Sequence, residues 1–467
     1  MPDVASLPAP PGRLPLIGHV AKLGRDPLGF LKSLGPLGDA ACVRIGTLPV
    51  VFLNTPDLVH EVLVTQARSF HKGRFFDRLR DLVGNGLPNS DGPTHLRNRR
   101  LMQPAFHHTR IAGYGAVMSE HASALADSWH EGQVLDVDRL MGRLVTSTLA
   151  ETMFSRGLGS RAIDTVQRNV PVIIENLLLR TVAPKALDRL PIPANRRFDA
   201  ATRELLEVID DVVAAARAAG PAGGADLLSV LLEAQDAETG ESLTDSEIRD
   251  ELGSILFAGV ETSATALTWA LHEIAGDREV ERRLLDELDS VLRGRAPSWE
   301  DVPRLPYLRQ VLNETLRLHG VTLLMRRAVE PVTVGGIDLP AGAEVAFSLY
   351  ALQVDPRTFA DPGRFDPDRW LPERAAELPR HAFIPFGAGT RKCIGEGWAW
   401  TEMTIALATL LSRWRFRPAP GPRPREVAAA VPHPDRLRMT VNRREPRPAD
   451  GDGTGPARQA AQPHPAA

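Results

Sequence analysis

A long apolar stretch in the second half of the chain constrains the fold more than any other feature of the sequence. Thr244 and Glu247 form a Thr-x-x-Glu capping box ahead of it, and Gly276 provides a C-terminal stop. These signals predict one helix of about thirty residues, or roughly 45 Å at 1.5 Å per residue. A helix of that length crosses a whole domain, so we expect the chain to fold as one large α-rich body around it.

The same stretch raises the question of a membrane span. Its most apolar window, Leu252 to Leu271, carries Glu261 in its middle, and a bilayer would bury that carboxylate at a cost of roughly 2–3 kcal/mol or more. The N-terminus lacks the basic and apolar regions of a signal peptide. We therefore expect a buried helix in a soluble, cytoplasmic protein with no membrane anchor.

The remaining pattern predicts a mainly α protein with a small β portion, an α+β class. Helical periodicity dominates from Pro56 to Leu318, and a last helix is predicted from about Gly397 to Trp414. The other predicted segments are β segments at 41–54 and 332–347, a loop-rich stretch at 72–94, an exposed helix connection at 219–225 and mostly irregular chain at 353–395.

Composition divides the chain into three regions. The first, 1–18, is rich in proline, and the last, 443–467, has almost no apolar content, so we expect this tail to be disordered. Between them, 19–442 is expected to form a single domain. The net charge of −3, from 55 basic and 58 acidic side chains, argues against a nucleic-acid-binding surface.

Cysteine content limits the possible metal chemistry. The chain has two cysteines, Cys42 and Cys393, which excludes a disulfide scaffold and a Cys₄ metal cluster. Cys393 lies on a Gly-rich loop just before a predicted helix N-terminus, where backbone N–H groups and the helix dipole favour thiolate over thiol. Without a Cys or His partner nearby, this thiolate suits an axial ligand to haem iron better than a zinc site. Arg391 is placed to pair with a haem propionate.

The segment around Cys393 resembles a known family signature. Phe-x-x-Gly-x-Arg-x-Cys-x-Gly is the haem-ligand pattern of the cytochrome P-450 haem-thiolate monooxygenases, and its fixed positions are filled by Phe386, Gly389, Arg391, Cys393 and Gly395. The resemblance, to soluble bacterial members, runs from about residue 8 to 442. It implies a single large triangular fold with haem b between the long central helix and the Cys-loop helix. It also implies that Cys393 ligates the iron while Phe386, Arg391 and Gly395 contact the cofactor.

A second family pattern, Glu-x-x-Arg, is matched by Glu314 and Arg317. Residues three apart share one helix face, so the carboxylate and guanidinium can interlock and engage a third partner. The resemblance names that partner as Arg364. We expect the three residues to hold the Cys loop structurally rather than to act in catalysis.

The middle of the long helix carries a third family pattern, at 258–262. The resemblance implies an oxygen-activation groove here, with Ala258 and Gly259 against the cofactor. It assigns the Thr262 hydroxyl to hydrogen-bond dioxygen and Glu261 to help deliver protons to it. An acid and a hydroxyl in mid-helix beside a glycine do not favour stability, which agrees with a functional role.

Three further residues are implied as contacts of the haem propionates. His95 and Arg99 are four apart and face the same way on a helix, and Arg326 lies in a later β-like segment. Surface ion pairs are the alternative explanation for each of them.

The resemblance also implies partners. The chain has no flavin or iron–sulfur motif, so electrons from NAD(P)H must arrive through a ferredoxin or flavodoxin and its reductase. Positive charge from Lys392, Arg97 and Arg100 would steer an acidic partner, unless these side chains form only a solvated face. We expect the protein to be a monomer.

The expected substrate is a hydrophobic small molecule, because the segments that line the family's pocket are apolar here. Candidate pocket residues are Phe75, Leu87, Leu256, Val321 and Leu324. Similarity to bacterial terpene-oxidising members, around 190–198 and after Cys393, favours a cyclic terpenoid, with a fatty acid, polyketide or steroid as alternatives. A non-catalytic haem-binding or sensing protein of the same fold is the other alternative, which the Glu261–Thr262 pair disfavours.

Overall fold

The computed structural model describes residues 4–154, 159–182, 185–220, 226–236 and 240–444. The predicted tail beyond Arg444 lies outside the described residues, as do most of the connection predicted at 219–225 and the first three residues of the chain. The domain limits at residues 18 and 442 therefore stay predictions.

Helices form most of the described chain, as the sequence predicted. They are α1 Val20–Arg25, α2 Pro27–Lys32, α3 Pro56–His60, α4 Arg74–Val83, α5 Gly92–Met102, α6 His108–Asp127, α7 Val137–Met153, α8 Ser160–Val182, α9 Pro193–Ala219, α10 Leu227–Glu233, α11 Asp245–Gly276, α12 Arg278–Leu292, α13 Pro306–Leu318, α14 Leu349–Leu352, α15 Pro372–Ala375 and α16 Glu396–Arg413.

The strands are short and lie mostly toward the two ends of the chain. They are β1 Ala40–Ile45, β2 Leu48–Leu53, β3 Phe70–Lys72, β4 Val134–Asp136, β5 Leu324–Ala328, β6 Val332–Val334, β7 Ile337–Leu339, β8 Glu344–Phe347, β9 Trp414–Pro418, β10 Glu426–Val427, β11 His433–Pro434 and β12 Arg438–Arg443.

The long helix predicted from its capping signals is confirmed as α11. The Thr244 hydroxyl accepts from the Glu247 N–H at 3.2 Å, and the Glu247 carboxylate accepts from the Thr244 N–H at 2.8 Å. The helix packs against α7, α9, α13 and α16 and passes through two hydrophobic clusters, one around Leu252 and the other around Leu267. Helix α11 therefore contributes residues to both clusters and connects them. Among the described helices, α11 alone is long and apolar enough to cross a membrane, and 72% of its most apolar window is buried inside the protein.

A five-stranded sheet in the order β1-β2-β8-β5-β3 stands beside the helical body. The predicted hairpin is confirmed, since β1 and β2 pair antiparallel from Ala40 opposite Leu53 to Ile45 opposite Leu48. Strand β3 pairs antiparallel with β5, which brings residue 72 of the chain opposite residue 326. This pairing joins two segments that are far apart in sequence, next to the start of α4.

The loop-rich stretch predicted at 72–94 is partly wrong. Helix α4 occupies Arg74–Val83, and its glycines stand at its ends rather than in a loop: Gly73 is the N-cap and Gly84, with φ of 69°, is the C-cap. Glycine at a C-cap adopts the left-handed conformation without strain. The irregular chain is therefore limited to a short segment between α4 and α5.

Candidate cofactor site

The loop that presents Cys393 is closed by its own backbone. The Cys393 N–H donates to the Phe386 carbonyl at 2.9 Å, and Gly387 and Gly389 adopt φ of 73° and 69° within the turn. A Cβ on Gly389 would lie 2.2 Å from the Leu63 carbonyl oxygen, so no other residue fits against this neighbouring turn. The Cys393 side chain is exposed, whereas the helix that follows, α16, is almost wholly buried from Trp398 onward.

The pKa of Cys393 is raised, whereas the sequence led us to expect a lowered one. Burial among protein atoms is the main effect and raises the pKa of this thiol, and Glu396 adds to the rise; the Gly395 N–H, Arg99 and Lys392 lower it by less. The side chain is exposed, but the surrounding protein atoms still limit its hydration. The backbone N–H groups at the start of α16 therefore do not outweigh the effect of burial on the pKa of this thiol. Within the described residues, no group of three or more His, Cys, Asp or Glu side chains could hold a metal ion.

One face of α11 is open although the helix runs through the core. Ala258 and Thr262, four residues apart, are exposed, while Phe257, Val260 and Ser263 are buried. Exposed residues at that spacing on a central helix line an internal cleft. The Thr262 hydroxyl donates to the Ala258 carbonyl at 2.8 Å.

Two other residues of the predicted groove lie off this open face or at its edge. Glu261 is half-buried. Gly259 points elsewhere, since a Cβ there would lie 3.0 Å from the Leu149 side chain of α7. Its lack of a side chain allows α7 to approach, and its partly exposed backbone leaves the predicted contact with the cofactor a prediction.

Basic side chains gather in buried positions at the edge of the sheet. His95 and Arg326 are 4% and 5% exposed, and they lie with Arg391 and with Lys72, which the sequence analysis missed. Burial, and after it the neighbouring Arg391, lower the pKa of His95 to about 4 and that of Arg326 to about 10, so His95 is neutral at neutral pH whereas Arg326 keeps its charge. Burial also lowers the pKa of Lys72 well below its ordinary value.

Asp91 is the carboxylate that the structure places among these cations. It accepts from Arg391 at 2.6 Å and from the Lys72 N–H at 3.0 Å. Arg391 also donates to the Ser90 carbonyl at 2.8 Å, and Arg326 donates to the Met325 carbonyl. One carboxylate does not balance this much buried positive charge, and such charge is costly unless it is paired. The two propionates of a haem would supply the missing anions, so these residues fit the group.

Arg99 reaches the Cys loop instead of this cluster. Its guanidinium donates to the Lys392 carbonyl at 2.7 Å, and its pKa is lowered by burial. Arg99 thus links α5 to the residue next to Cys393.

The Glu314–Arg317 pair forms as predicted, but its third partner was wrongly assigned. The two side chains are fully buried and joined by hydrogen bonds of 2.8 and 2.7 Å. Arg369, not Arg364, approaches Glu314 at 3.3 Å, and Trp370 donates to Glu314 at 3.0 Å. The turn at Pro367–Trp370 buries Arg369, whereas the Arg364 side chain is exposed and only its carbonyl accepts from Arg317, at 3.1 Å.

The candidate pocket residues fall into two groups. Leu87 and Leu256 belong to the large cluster that contains the first half of α11, and Phe75 and Leu324 pack against it. Val321 packs instead against the cluster beneath the five-stranded sheet, and Leu324 contacts both clusters. Four of the five therefore belong to the large cluster or pack against it.

A further buried acid lies between the two helices that flank the site. Glu402 of α16 is 1% exposed, and among the described residues neither carboxyl oxygen has a partner in hydrogen-bonding geometry. Burial raises the pKa of Glu402 well above its ordinary value, and the Ser263 hydroxyl of α11 offsets part of this rise. A carboxyl group in this setting is held protonated.

The chain is similar to proteins of one family. The model of the family Cytochrome P450 matches residues 8–438. Cyclooctat-9-en-7-ol 5-monooxygenase of Streptomyces melanosporofaciens is 41% identical over 86% of this chain and 88% of that protein. Pentalenene oxygenase of Streptomyces avermitilis is 38% identical over 86% of this chain and 90% of that protein.

A solved structure confirms the predicted fold. The crystal structure of the cytochrome P450DA heme domain matches with a TM-score of 0.84 and 28% identity, over 94% of this chain and 98% of that chain. The family's haem-thiolate iron, its use of O₂ and its reductase-supplied electrons explain an exposed cysteine at a closed loop and buried cations without matching anions. The chain belongs to the cytochrome P450 family of monooxygenases.

Proposed function

We propose that this monooxygenase oxidises a cyclic terpenoid, by one hydroxylation or by successive oxidations of one position. The observation that carries the proposal is the apolar region around Leu87, Leu256 and Leu324, which adjoins the helix that bears the open Ala258–Thr262 face. Relatives whose names state cyclooctat-9-en-7-ol and pentalenene as substrates support it, since both are carbon rings with few polar groups.

Bound haem would supply oxygen activation and insertion, which protein side chains cannot carry out alone. Cys393 would ligate its iron. His95, Lys72, Arg326 and Arg391 would hold its propionates, because these basic side chains are already buried and the described residues place one carboxylate, Asp91, among them. Glu314, Arg317 and Arg369 hold the irregular chain at 353–370 in place and have no proposed role in the reaction.

Thr262 and Glu261 are proposed to handle protons. The Thr262 hydroxyl directs its hydrogen to the Ala258 carbonyl, so its lone pairs can accept a hydrogen bond from the cleft. Rotation of that hydroxyl makes it a donor toward the same space. Glu261, the adjacent half-buried carboxyl, would resupply the proton at Thr262 Oγ1.

Electrons must come from a redox partner, and we propose an acidic ferredoxin or flavodoxin with its reductase. The positive charge available to steer this partner differs from what the sequence led us to expect. Arg97 pairs with Glu247 at 2.7 Å, and Arg100 and Lys392 pair with acids as well, so their charge is largely neutralised. A shallow groove of about 730 Å³ between α5 and α6 carries Leu96, Arg99 and Arg110, and we propose that the partner docks there. We also propose a monomeric, cytoplasmic enzyme.

A spectral titration of the haem-loaded protein tests the substrate proposal. Cyclic terpene hydrocarbons and alcohols, fatty acids, polyketides and steroids are compared by the shift of the Soret band. We expect the tightest binding from a cyclic terpenoid, and a product one oxygen atom heavier once redox partners, NAD(P)H and O₂ are added. Tighter binding and turnover of a fatty acid or steroid would reject the terpenoid assignment.

A further inference from the structure

A short irregular segment, which we name the 84–91 loop (Gly84–Asp91), connects α4 to α5 and packs directly on the central helix. The Asn85 N–H donates to Asp250 at 2.8 Å. The glycines allow this close approach: a Cβ on Gly84 would lie 2.0 Å from the Asp250 carboxylate, and one on Gly86 would lie 2.4 Å from the Ser254 hydroxyl. The start of the loop therefore has no space for side chains between itself and α11.

The other end of the 84–91 loop is tied to the Cys loop. Arg391 donates to the Ser90 carbonyl and to the Asp91 carboxylate, at 2.8 and 2.6 Å. The loop thus runs from α11 to a residue two positions before Cys393. Leu87, a residue of the apolar region proposed to bind substrate, lies in its middle.

Glu251 of α11 connects three elements through one carboxyl group. It is fully buried, and it accepts from the Leu87 N–H at 2.8 Å and from the Asn98 side-chain amide at 2.6 Å. Leu87 belongs to the 84–91 loop, and Asn98 belongs to α5, which also carries His95 and Arg99. Loss of this carboxyl would remove one hydrogen bond from the loop and one from α5 at the same point.

We propose that Glu251 is a positioning residue that fixes the 84–91 loop and α5 against the central helix, so that substrate affinity and access to the cleft depend on its carboxyl group. The link to substrate rests on the proposed function, because it takes Leu87 as a pocket residue. The link to loop opening rests on the hydrogen bonds alone.

The setting of Glu251 makes this contact sensitive to pH. The pKa of Glu251 is raised to about 7: burial is the main cause, Asp250 and Glu247 also raise it, and the hydrogen bonds from Leu87 and Asn98 offset part of the rise. The neighbouring elements bring cations that are already engaged: Arg97 of α5 with Glu247, Arg249 of α11 with Asp210, and Arg80 of α4 with Asn85 and Asn89.

An unsatisfied acceptor beside Glu251 agrees with a protonated carboxyl. The Asn98 side-chain oxygen is buried and has no hydrogen-bond partner among the described residues. Ionised Glu251 has only acceptors to offer, whereas its protonated form has an O–H that can donate to Asn98. The existing bonds from Leu87 and Asn98 favour the ionised form, and burial outweighs them.

The sign of the pH effect follows from the raised pKa. The docked loop binds the proton more tightly than the released loop, in which Glu251 is hydrated and has an ordinary value near 4.5. Docking is then strongest at low pH. It weakens as pH rises from about 4.5 to about 7, by at most roughly tenfold per pH unit, and changes little above that range.

Hydrogen–deuterium exchange of the haem-loaded protein, without substrate, tests the proposal from pH 5 to 8.5. After correction for the intrinsic exchange rate, we expect protection of peptides covering the 84–91 loop to fall up to pH 7 and then level off. Glu251→Gln should remove this pH dependence, because glutamine does not titrate, and Glu251→Ala should expose the loop at every pH. Glu373→Gln, at an exposed site outside the loop and its contacts, is the control and should retain the inflection.

Two results would overturn the proposal: wild-type loop protection that shows no inflection, or an unchanged inflection in Glu251→Gln. The wild-type profile needs no variant, so it remains decisive even if a substitution prevents folding. Because no substrate is used, failure to find a terpenoid ligand would leave this test intact. Where a ligand is found, its dissociation constant should rise over the same pH interval in the wild type and not in Glu251→Gln.

Discussion

Lys72 and Arg326 stand directly opposite each other on antiparallel strands β3 and β5, and both side chains are buried. Like charges in facing positions destabilise a sheet, so this pairing is unfavourable for the chain by itself. We propose that the propionates of a bound haem offset this repulsion, which would explain why the two residues face each other here.

Replacing Lys72 with Met should stabilise the haem-free protein and weaken haem binding. The haem-free chain should gain about 1 kcal/mol or more, because a buried cation is replaced by an apolar side chain of similar length. The loaded protein should lose haem several-fold faster in transfer to apomyoglobin. Lys22→Met, at an exposed lysine, is the control and should change neither quantity. Unchanged haem loss in Lys72→Met would contradict the assignment.

Replacing Cys393 with Ser should abolish the red-shifted carbon monoxide band of the ferrous protein, because a serine oxygen does not reproduce thiolate ligation. Cys42→Ala is the matched control, since Cys42 is buried in β1. It should keep the band, with at most a modest loss of stability. A band that persists in Cys393→Ser would refute the ligand assignment.

Thr262→Ala should uncouple electron consumption from product formation. Without the hydroxyl at the open face of α11, proton delivery fails and reducing equivalents are diverted to peroxide. The ratio of product to NAD(P)H consumed should fall several-fold, while Thr262→Ser should restore most of it. Retained coupling in Thr262→Ala would eliminate the proposed role.

Substitutions of Arg369 and Arg364, the two arginines near the Glu314–Arg317 pair, should differ sharply in their effect on stability. Arg369→Ala removes a buried partner of Glu314 and should cost about 3–5 kcal/mol of unfolding free energy, with loss of haem. Arg364→Ala, five residues away, removes an exposed side chain and should change stability by about 0.5 kcal/mol or less. Equal losses in denaturant unfolding would show that the structural assignment of Arg369 is wrong.

Glu402→Gln should stabilise the protein at high pH. Because the folded-state pKa of Glu402 is raised, the wild type loses stability as pH rises above the ordinary carboxyl value, and glutamine removes this loss. We expect a gain of about 1–3 kcal/mol at pH 8 that shrinks toward pH 5. Glu373→Gln, at an exposed site, should follow the wild type in thermal unfolding. A constant difference across this range would disprove titration of Glu402.

The sequence predicted features that are local. The Thr244–Glu247 cap, the Cys393 loop and the Glu314–Arg317 pair each lie within a few residues, so their geometry follows from spacing alone. Lys72 was missed because its partner across the sheet is set by the pairing of β3 with β5, which no local pattern reveals.

The wrong choice of Arg364 has the same kind of cause. Arg364 and Arg369 lie in irregular chain, where no period indicates which side chain points inward. Contacts with Glu314, more than 50 residues earlier, determine which arginine is buried, and a single sequence does not reveal such contacts.

The contact between Gly389 and the Leu63 carbonyl has a consequence for protein engineering. The turn at 61–65 limits how closely the Cys loop can approach it, because the Gly389 backbone packs directly against the Leu63 carbonyl. A substitution or graft in that turn that redirected the Leu63 carbonyl would move Cys393 although it is more than 300 residues away in the chain. Variants intended to tune the electronic properties of the iron could therefore be sought at 61–65, leaving both the ligand and the pocket unchanged.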